Sequence, residues 1–216
     1  MSKLIVIEGL DGSGKSTQVE ILCKKLPVRK IKLPNYDSPS SSLVKMYLAG
    51  DFGTDANDVN AYAASSLYAV DRFASYTTEW KEDYLAGKII LADRYTTSNA
   101  CHQMTKLPKE ERDSYLAWLE EFEYELIGIP RPSLVLFLDM PVEISQKLMT
   151  KRYEGDEDKK DVHEADVSYL KACREAGLYA ADKLGWKVIK CYEGDEPRPV
   201  NDIADDIWKA VKELED

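Results

Sequence analysis

Three short apolar runs, each of which passes directly into a carboxylate, constrain the fold of this chain more than any other feature. They stand at residues 4–9 (LIVIEG), 88–93 (KIILAD) and 133–139 (SLVLFLD), and runs of this kind are typical of strands buried on both faces of a parallel sheet. Two weaker runs, RKIKLP at 29–34 and WKVIKCY at 186–192, bring the set to five. Because segments with helical periodicity separate them, we predict an α/β fold with a five-stranded parallel sheet flanked by helices, which binds ligands at the carboxyl ends of its strands.

The segments between the runs carry the usual marks of helices. Residues 57–85 are rich in Ala, Tyr and Leu without Pro or Gly, and Pro108 and Pro141 stand where a first helical turn tolerates proline. The polar run 153–161 is predicted to be a loop. One helix face after the first strand is formed by Val19, Leu22, Cys23 and Leu26. No repeat or linker interrupts the pattern, so we predict one domain over residues 1–216.

Charge and hydropathy exclude several classes of partner. The net charge is -10 and the isoelectric point is near 4.9, which argues against nucleic acid or an acidic membrane surface as a partner. No window approaches the ~20 apolar residues of a membrane span, and the opening apolar run is too short for a signal peptide. We therefore expect a cytoplasmic protein with reduced, mostly structural cysteines, namely Cys23, Cys101, Cys173 and Cys191.

The stretch GLDGSGKS, residues 9–16, follows the first strand and leads into an amphipathic helix. It matches G-x-x-x-x-G-K-[ST], in which backbone N–H groups surround phosphate, the lysine reaches the outer oxygens and the hydroxyl binds Mg²⁺. Lys15 and Ser16 take those last two roles. We therefore predict a three-layer P-loop NTPase fold, with phosphate contacts at Gly9, Gly12, Ser13, Gly14, Lys15, Ser16 and Thr17.

Two further carboxylates belong to the same edge of the predicted sheet. Asp93 ends the KIILAD run and is the expected second group at the Mg²⁺ site beside Ser16. The alternative for Asp93 is a plain salt bridge with its neighbour Arg94. Glu8 also points toward the loop from the first strand, either toward the ligand or as an anchor for backbone amides, and its role stays open.

Several motifs together resemble one family. The chain has no N-K-x-D segment of the guanine-specific switches, but EGLDGSGKSTQ at 8–18 matches the pattern EGxDGxGKST of thymidylate kinases. A strand end Asp-Arg-Tyr at 93–95 is followed by TTSN, and an upstream helix carries Tyr68 and, four residues later, Arg72, which the spacing puts on one helix face. The chain thus resembles thymidylate kinases, of the bacterial-like type with a basic lid, over most of its length.

That resemblance implies an activity and a set of contacts. The activity would be ATP- and Mg²⁺-dependent phosphorylation of dTMP to dTDP, in a homodimer whose face would come from the 57–85 helix and the helix near Lys109. Tyr68 would stack on thymine, Arg72 would hydrogen-bond it, and Arg94 would hold the acceptor phosphate. The remaining acceptor contacts would come from Asp11, Ser98, His102, Gln103 and Tyr153. Each has a simpler alternative: Tyr68 as a core aromatic, His102 as a structural histidine, and Arg72 in a surface pair with Asp71.

The resemblance also assigns a lid at about 147–163. Gly12 and Ser13 leave the P-loop without an arginine to stabilise the charge that moves between phosphates. In the resembling family such members carry the basic residue in the lid, so Lys151 and Arg152 join Lys15, Asp11 and Arg94 as the predicted catalytic set. Weaker candidates are Lys147, Lys159 and Lys160. The alternative is an ordinary solvated face, because the basic residues of 147–163 are mixed with five carboxylates.

One departure from the family pattern keeps other functions open. Where an arginine is usual after the second strand, this chain reads Lys32-Leu-Pro-Asn-Tyr36-Asp37, and lysine or tyrosine cannot make the bidentate phosphate contact of arginine. The alternatives are a deoxynucleoside kinase, which needs a carboxylate base such as Asp37, Asp11 or Glu8, and a non-catalytic nucleotide sensor.

Overall fold

A central parallel sheet organises the protein. The structure is a computed structural model that describes residues 3–53, 55, 58–152 and 167–214. The strands are β1 (Lys3–Gly9), β2 (Val28–Lys32), β3 (Ile89–Asp93), β4 (Leu134–Asp139) and β5 (Lys187–Lys190), with a separate short ribbon of β6 (Tyr192–Glu193) and β7 (Glu196–Pro197). The five long strands lie parallel in the order β2-β3-β1-β4-β5. The predicted five-stranded parallel sheet is therefore confirmed.

The two weak strands are shorter than the sequence predicts. Strand β2 ends at Lys32 rather than at Pro34, because a proline has no N–H to continue the ladder. Strand β5 begins at Lys187 rather than at Trp186, whose amide donates instead to the carbonyl of Ala181 at 2.9 Å. After Lys190 the chain leaves the sheet for the antiparallel ribbon. The predicted ranges of 29–34 and 186–192 were too long at these ends.

Nine α-helices are present in the described residues: α1 (Lys15–Lys25), α2 (Ser42–Ala49), α3 (Ala61–Ser75), α4 (Lys81–Leu85), α5 (Thr97–His102), α6 (Arg112–Glu120), α7 (Val142–Arg152), α8 (Val167–Leu184) and α9 (Val200–Glu213). Shorter 3₁₀ segments are Pro39–Ser41, Gln103–Lys106 and Lys109–Glu111. A π-helical segment, Tyr76–Trp80, joins α3 to α4, and a second, Glu121–Leu126, extends α6. The helices predicted to begin after Pro108 and Pro141 are confirmed.

The long helix predicted for 57–85 begins later than the sequence suggests. It starts at Ala61, where the Asn60 side chain accepts a hydrogen bond from the Ala63 amide at 2.9 Å and caps the helix. From there α3, the π segment and α4 continue to Leu85. The predicted loop at 153–161 lies outside the described residues.

Alternate residues of β1 enter opposite hydrophobic cores, which gives the fold its three layers. Ile5 and Ile7 pack with residues of α1 and α9, whereas Leu4 and Val6 pack on the other face with Tyr76 and neighbouring aromatic residues. Strand β1 is thus covered on both sides, as its apolar run predicts. The carboxyl ends of β1 and β3 consequently meet at one edge, where Ile7 lies opposite Asp93.

Candidate active site

The phosphate loop connects β1 to α1 and presents backbone donors at the start of that helix. Gly14 takes the N-cap position with φ of 88°, and no side chain caps the helix, so the first amides are available to an anion. Ser16 and Thr17 are exposed in the first helical turn. The Ser13 hydroxyl is buried without a partner among the described residues. These features fit a phosphate group held by the loop.

Lys15 lies in the loop with its ammonium turned inward. Its Nζ donates to the Leu10 carbonyl at 2.8 Å and lies 3.4 Å from Asp11 Oδ1. Burial lowers the pKa of Lys15, and so does the nearby Arg94, whereas the carboxylates around it act in the opposite direction. The Lys15 ammonium therefore contacts residues of the phosphate loop, at the place where it is predicted to bind phosphate.

Helix α7 packs directly on the phosphate loop at Gly12. The φ of Gly12 is 76°, and a Cβ atom built there would lie 2.8 Å from the Ser145 carbonyl oxygen and 2.9 Å from Met149 Cγ. Only glycine fits this contact without a shift of the helix. The loop and α7 are thus in close contact at the position where the sequence lacks an arginine.

The predicted metal ligands lie at this same edge. Asp93 is buried, and its carboxylate makes no hydrogen bond or salt bridge within the part of the chain that is described. The alternative of a salt bridge with Arg94 is therefore not observed. No cluster of three or more metal-ligating side chains occurs in the described ranges. Mg²⁺ keeps several waters and binds through one or two protein groups plus phosphate. A free carboxylate near Lys15, with the Ser16 hydroxyl, is the donor set Mg²⁺ prefers.

Glu8 organises the residues that follow β3. It is completely buried and accepts hydrogen bonds from Thr97 Oγ1 at 2.8 Å and Ser98 Oγ at 2.6 Å. It also accepts from the Gly9 amide at 2.9 Å and lies 3.4 Å from Arg94 Nη1. These contacts fit the anchoring role, one of the two that the sequence left open for Glu8.

Arg94 is shared among several partners. Its Nη2 donates to Asp11 Oδ1 at 2.6 Å, and its Nη1 lies 3.1 Å from His102 Nε2 and 3.4 Å from Ser98 Oγ. Its φ of 68° is left-handed, a conformation that non-glycine residues rarely adopt and that is concentrated at functional sites. Burial would lower the pKa of Arg94, but Asp11 and Glu8 raise it above its ordinary value.

The charges around Arg94 set the state of its neighbours. Burial would raise the pKa of Asp11, but Arg94 and Lys15 hold it well below its usual range. Burial, reinforced by Arg94, lowers the pKa of His102 to about 4. At neutral pH His102 is therefore uncharged, and its Nε2 accepts from Arg94, while Nδ1 lies 3.2 Å from the Tyr169 hydroxyl. Asp11 stays ionised and is a poor proton acceptor.

A pocket of about 300 Å³ adjoins the phosphate loop. Seven of the eight residues predicted for the acceptor line it: Asp11, Tyr68, Arg72, Arg94, Ser98, His102 and Gln103. Tyr153 lies outside the described residues. The Gln103 Oε1 atom is buried without a partner among those residues. Residues of the region where the family pattern departs, Lys32 and Tyr36, also reach this pocket.

Aromatic rings form one wall of the pocket. Tyr36, Tyr47, Tyr68 and Tyr169 all contribute, and the rings of Tyr47 and Tyr68 meet edge to face with centroids 6.2 Å apart. Burial raises the pKa of Tyr68 well above its ordinary value. Because Tyr68 faces the pocket, its position fits stacking on a ligand ring better than a place in the core.

Arg72 is buried and paired in a way that the sequence did not suggest. Its partner is Glu123 of the second π segment. The Glu123 carboxylate accepts hydrogen bonds from Arg72 Nε at 2.7 Å and from Arg72 Nη2. The predicted alternative, a surface pair with Asp71, is wrong. Asp71 is buried and faces elsewhere, where it accepts from the Asn35 amide at 2.8 Å and the Ser40 hydroxyl at 2.6 Å.

Sequence reasoning missed Glu123 among the charged residues of EEFEYE. A signal was present, because Glu123 falls four residues after Leu119 and seven after Leu116, and both leucines are buried. It also missed Tyr47, Asn99 and Tyr169 in the pocket wall. Nothing in their local sequence distinguishes them from ordinary helical residues.

The predicted lid is described only at its first part. Lys147 belongs to α7, which ends at Arg152, and Lys151 lies in its last turn. The side chains of Lys151 and Arg152 are outside the described part of the structure, as are Lys159 and Lys160. Their contact with a nucleotide stays a prediction.

No helix within the described ranges is long and apolar enough to cross a membrane.

Comparison with known proteins identifies the family. The family model for thymidylate kinase matches residues 7–194. The chain is 28% identical over 211 residues to a probable thymidylate kinase of Pyrobaculum aerophilum, covering 97% of this chain and 96% of that protein. It is 29% identical over 185 residues to the thymidylate kinase of Mycobacterium tuberculosis, covering 82% and 84%. A solved thymidylate kinase of Candida albicans shares the fold, with a TM-score of 0.74 at 23% identity over 99% of this chain and 92% of that one. The chain therefore belongs to the thymidylate kinase family, and it is a kinase.

Proposed function

We propose that this protein transfers the γ-phosphoryl group of ATP to dTMP, giving ADP and dTDP. The observation that carries this proposal is the pocket beside the phosphate loop, because Asp11 of that loop is also part of the pocket wall. A nucleotide in the pocket would therefore stand next to phosphates held by the loop. The family membership and the names of the relatives support dTMP as that nucleotide.

On the donor side, the loop amides and Lys15 bind the ATP phosphates, and the exposed hydroxyl of Ser16 and the free carboxylate of Asp93 hold Mg²⁺. Mg²⁺ held by these two groups would neutralise the negative charge that develops on the phosphate oxygens during transfer. The protein supplies the geometry, since phosphoryl transfer depends mainly on positioning and on stabilisation of charge. The lid residues Lys151 and Arg152 are the proposed source of additional positive charge.

On the acceptor side, Arg94 binds the phosphate of dTMP and Tyr68 stacks on thymine. The acceptor phosphate has its second pKa near ~6 and is largely ionised at neutral pH, so no protein base is needed. This agrees with the ionised, arginine-bound state of Asp11. A nucleoside kinase would need a base there, and Asp37 is exposed and outside the pocket wall.

The homodimer is a further part of the proposal. Val70 and Phe73 lie one turn apart on α3 and are 50% and 46% exposed, and Leu43 and Met46 on the neighbouring α2 are also exposed. Contiguous exposed apolar side chains mark protein contacts. Light scattering, which measures the molar mass in solution, tests whether the protein is a dimer. The cytoplasmic location and the absence of a nucleic-acid partner stay predictions from the sequence.

One experiment tests the activity directly. The protein is incubated with ATP and Mg²⁺ against dTMP, dUMP, dCMP, thymidine and deoxyguanosine, and ADP is measured, with EDTA as the control for metal dependence. We expect ADP with dTMP and none without metal. Absence of ADP above background with dTMP would contradict the proposal, and ADP formed only with a nucleoside would identify a deoxynucleoside kinase.

A further inference from the structure

A buried ion pair lies behind the wall of the acceptor pocket. Arg72 is 3% exposed and Glu123 is 0% exposed, and both oxygens of the Glu123 carboxylate receive N–H groups of the guanidinium. This two-point contact fixes the plane of the guanidinium as well as its distance from the carboxylate. Glu123 itself is absent from the pocket lining, whereas Arg72 belongs to it.

A second element holds the carboxylate in place. Asn99 of α5 donates from Nδ2 to Glu123 Oε1 at 3.2 Å and to the Ser65 carbonyl at 3.3 Å. Glu123 therefore connects α3, which carries Arg72, with α5, which carries Ser98 and His102 of the pocket. Its position in a π-helical segment is also notable, because π segments are rare and are frequently found at functional sites.

The ion pair determines which edge of Arg72 remains for a ligand. A guanidinium has five N–H groups, and Glu123 occupies Nε and one N–H of Nη2. The nearest described acceptor of Nη1 is the Tyr95 carbonyl, at 3.5 Å, which is at the limit of a hydrogen bond. The second N–H of Nη2 and at least one N–H of Nη1 therefore remain for a group in the pocket.

The charge of the pair limits what that group can be. The carboxylate lies directly behind the guanidinium and cancels its charge, so this end of the pocket offers directed N–H donors with little net positive potential. A phosphate dianion gains little there, because it would also meet the Glu123 charge. A neutral carbonyl oxygen accepts the same N–H groups without that repulsion.

We propose that Glu123 is a positioning residue that holds Arg72 so that its free edge donates to the neutral 4-carbonyl of a pyrimidine base and rejects a 4-amino group. This inference rests on the proposed function, since it concerns the base of the acceptor. Thymine and cytosine differ at this position, with an acceptor oxygen in the first and a donor amino group in the second. Selectivity between dTMP and dCMP is therefore the property that Glu123 controls.

The test compares Glu123→Gln and Glu123→Asp with the wild type. The amide of Gln offers one acceptor oxygen in place of two. Asp moves the carboxylate away from Arg72 by one methylene. Both variants therefore hold the Arg72 guanidinium less firmly. We measure kcat and KM for dTMP, dCMP and ATP. By analogy with residues that orient metal ligands, the dTMP:dCMP ratio of kcat/KM is expected to fall on the order of 10-fold or more. KM for dTMP rises, KM for ATP stays unchanged, and Asp has the smaller effect.

A matched control is available in the same segment. Glu121 is exposed, and Glu121→Gln makes the identical chemical change without touching Arg72, so its selectivity is expected to equal that of the wild type. A merely structural role of Glu123 would lower thermal stability and leave the selectivity of the folded enzyme unchanged. That outcome, or failure of both variants to fold, would overturn the positioning role. Absence of dTMP turnover by the wild type would instead overturn the proposed function.

Discussion

Two arginines serve one pocket in this protein and are held in opposite ways. Arg94 stands in a left-handed conformation and is shared among Asp11, Glu8, Ser98 and His102, with 17% of its side chain exposed and its main carboxylate partner 37% exposed. Arg72 is held by one completely buried carboxylate through two contacts. The first arrangement can exchange partners when an anion arrives, whereas the second cannot. The partners of an arginine, rather than the arginine itself, determine whether it suits a phosphate or a neutral group.

The largest effect is expected for Arg94→Ala. Removing the guanidinium that is proposed to bind the acceptor phosphate should lower kcat/KM for dTMP by about 10²–10³-fold, as for loss of other charge-stabilising donors. ATP affinity, measured by calorimetry, should remain nearly unchanged. Arg131→Ala provides the control, because Arg131 lies on the surface with 48% exposure. An equal loss of ATP affinity would show that Arg94 belongs to the donor side.

The second prediction separates the two arginines by stability. Arg72→Met leaves Glu123 buried with only the Asn99 amide, so the free energy of unfolding should fall by about 3–5 kcal/mol. Arg94→Met should cost about 1 kcal/mol, since Glu8 keeps its hydroxyl partners and Asp11 is partly exposed. Urea denaturation measures both values.

A double variant sharpens that second prediction. Arg72→Met with Glu123→Leu removes the stranded charge, so it should recover part of the stability lost in Arg72→Met alone. Equal destabilisation by Arg72→Met and Arg94→Met would remove the distinction drawn between the two sites.

The smallest effect concerns His102, the uncharged partner of Arg94. Its pKa is about 4 in the fold against an ordinary 6.5, so between these values the unfolded chain binds more protons and stability falls as pH falls. The contact of uncharged His102 with Arg94 contributes its full stabilisation above pH 6.5, and this stabilisation is lost as the pH falls toward 4. In His102→Gln the slope of unfolding free energy between these pH values should be flatter, by roughly 2 kcal/mol over the range.

Chemical denaturation at a series of pH values measures this slope. The control is His163→Gln, because the chain has 2 histidines. If the slope disappears in His163→Gln and persists in His102→Gln, the titration belongs to His163 and the assignment to His102 is wrong. The carboxylate of Asp11, whose pKa is lowered, loses its stabilising contribution only below its ordinary range and so acts mainly outside this window.

The sequence predicts those parts of the protein that depend on local pattern. The strand before GLDGSGKS, the helix after it and the carboxylate at the end of β3 could all be identified, because spacing and hydrophobicity specify them over short stretches. The convergence of Tyr68, Arg72 and Arg94 on one pocket followed from the motifs of the family.

Properties that depend on tertiary packing could not be predicted in the same way. Asp71 and Arg72 are adjacent in the chain but turn to different partners, since one faces the loop after β2 and the other faces Glu123. The start of β5 at Lys187 depends on the bond of the Trp186 amide to Ala181, and its end at Lys190 depends on the pairing of Tyr192 in the antiparallel ribbon. The spacing of Glu123 from Leu116 and Leu119 could indicate its burial, but its pairing with Arg72, 51 residues earlier in the chain, depends on tertiary packing.

The contact of Gly12 with helix α7 limits how this enzyme can be altered. A Cβ atom at position 12 would lie 2.8 Å from the Ser145 carbonyl oxygen, so any side chain there requires α7 to shift. Placing an arginine in the phosphate loop at position 12 would therefore require prior changes in α7. The same requirement holds for stepwise natural mutation. The contact at Gly12 thus separates two arrangements of the enzyme, one with the basic residue in the lid and one with it in the phosphate loop. A single substitution at position 12 does not convert the first into the second.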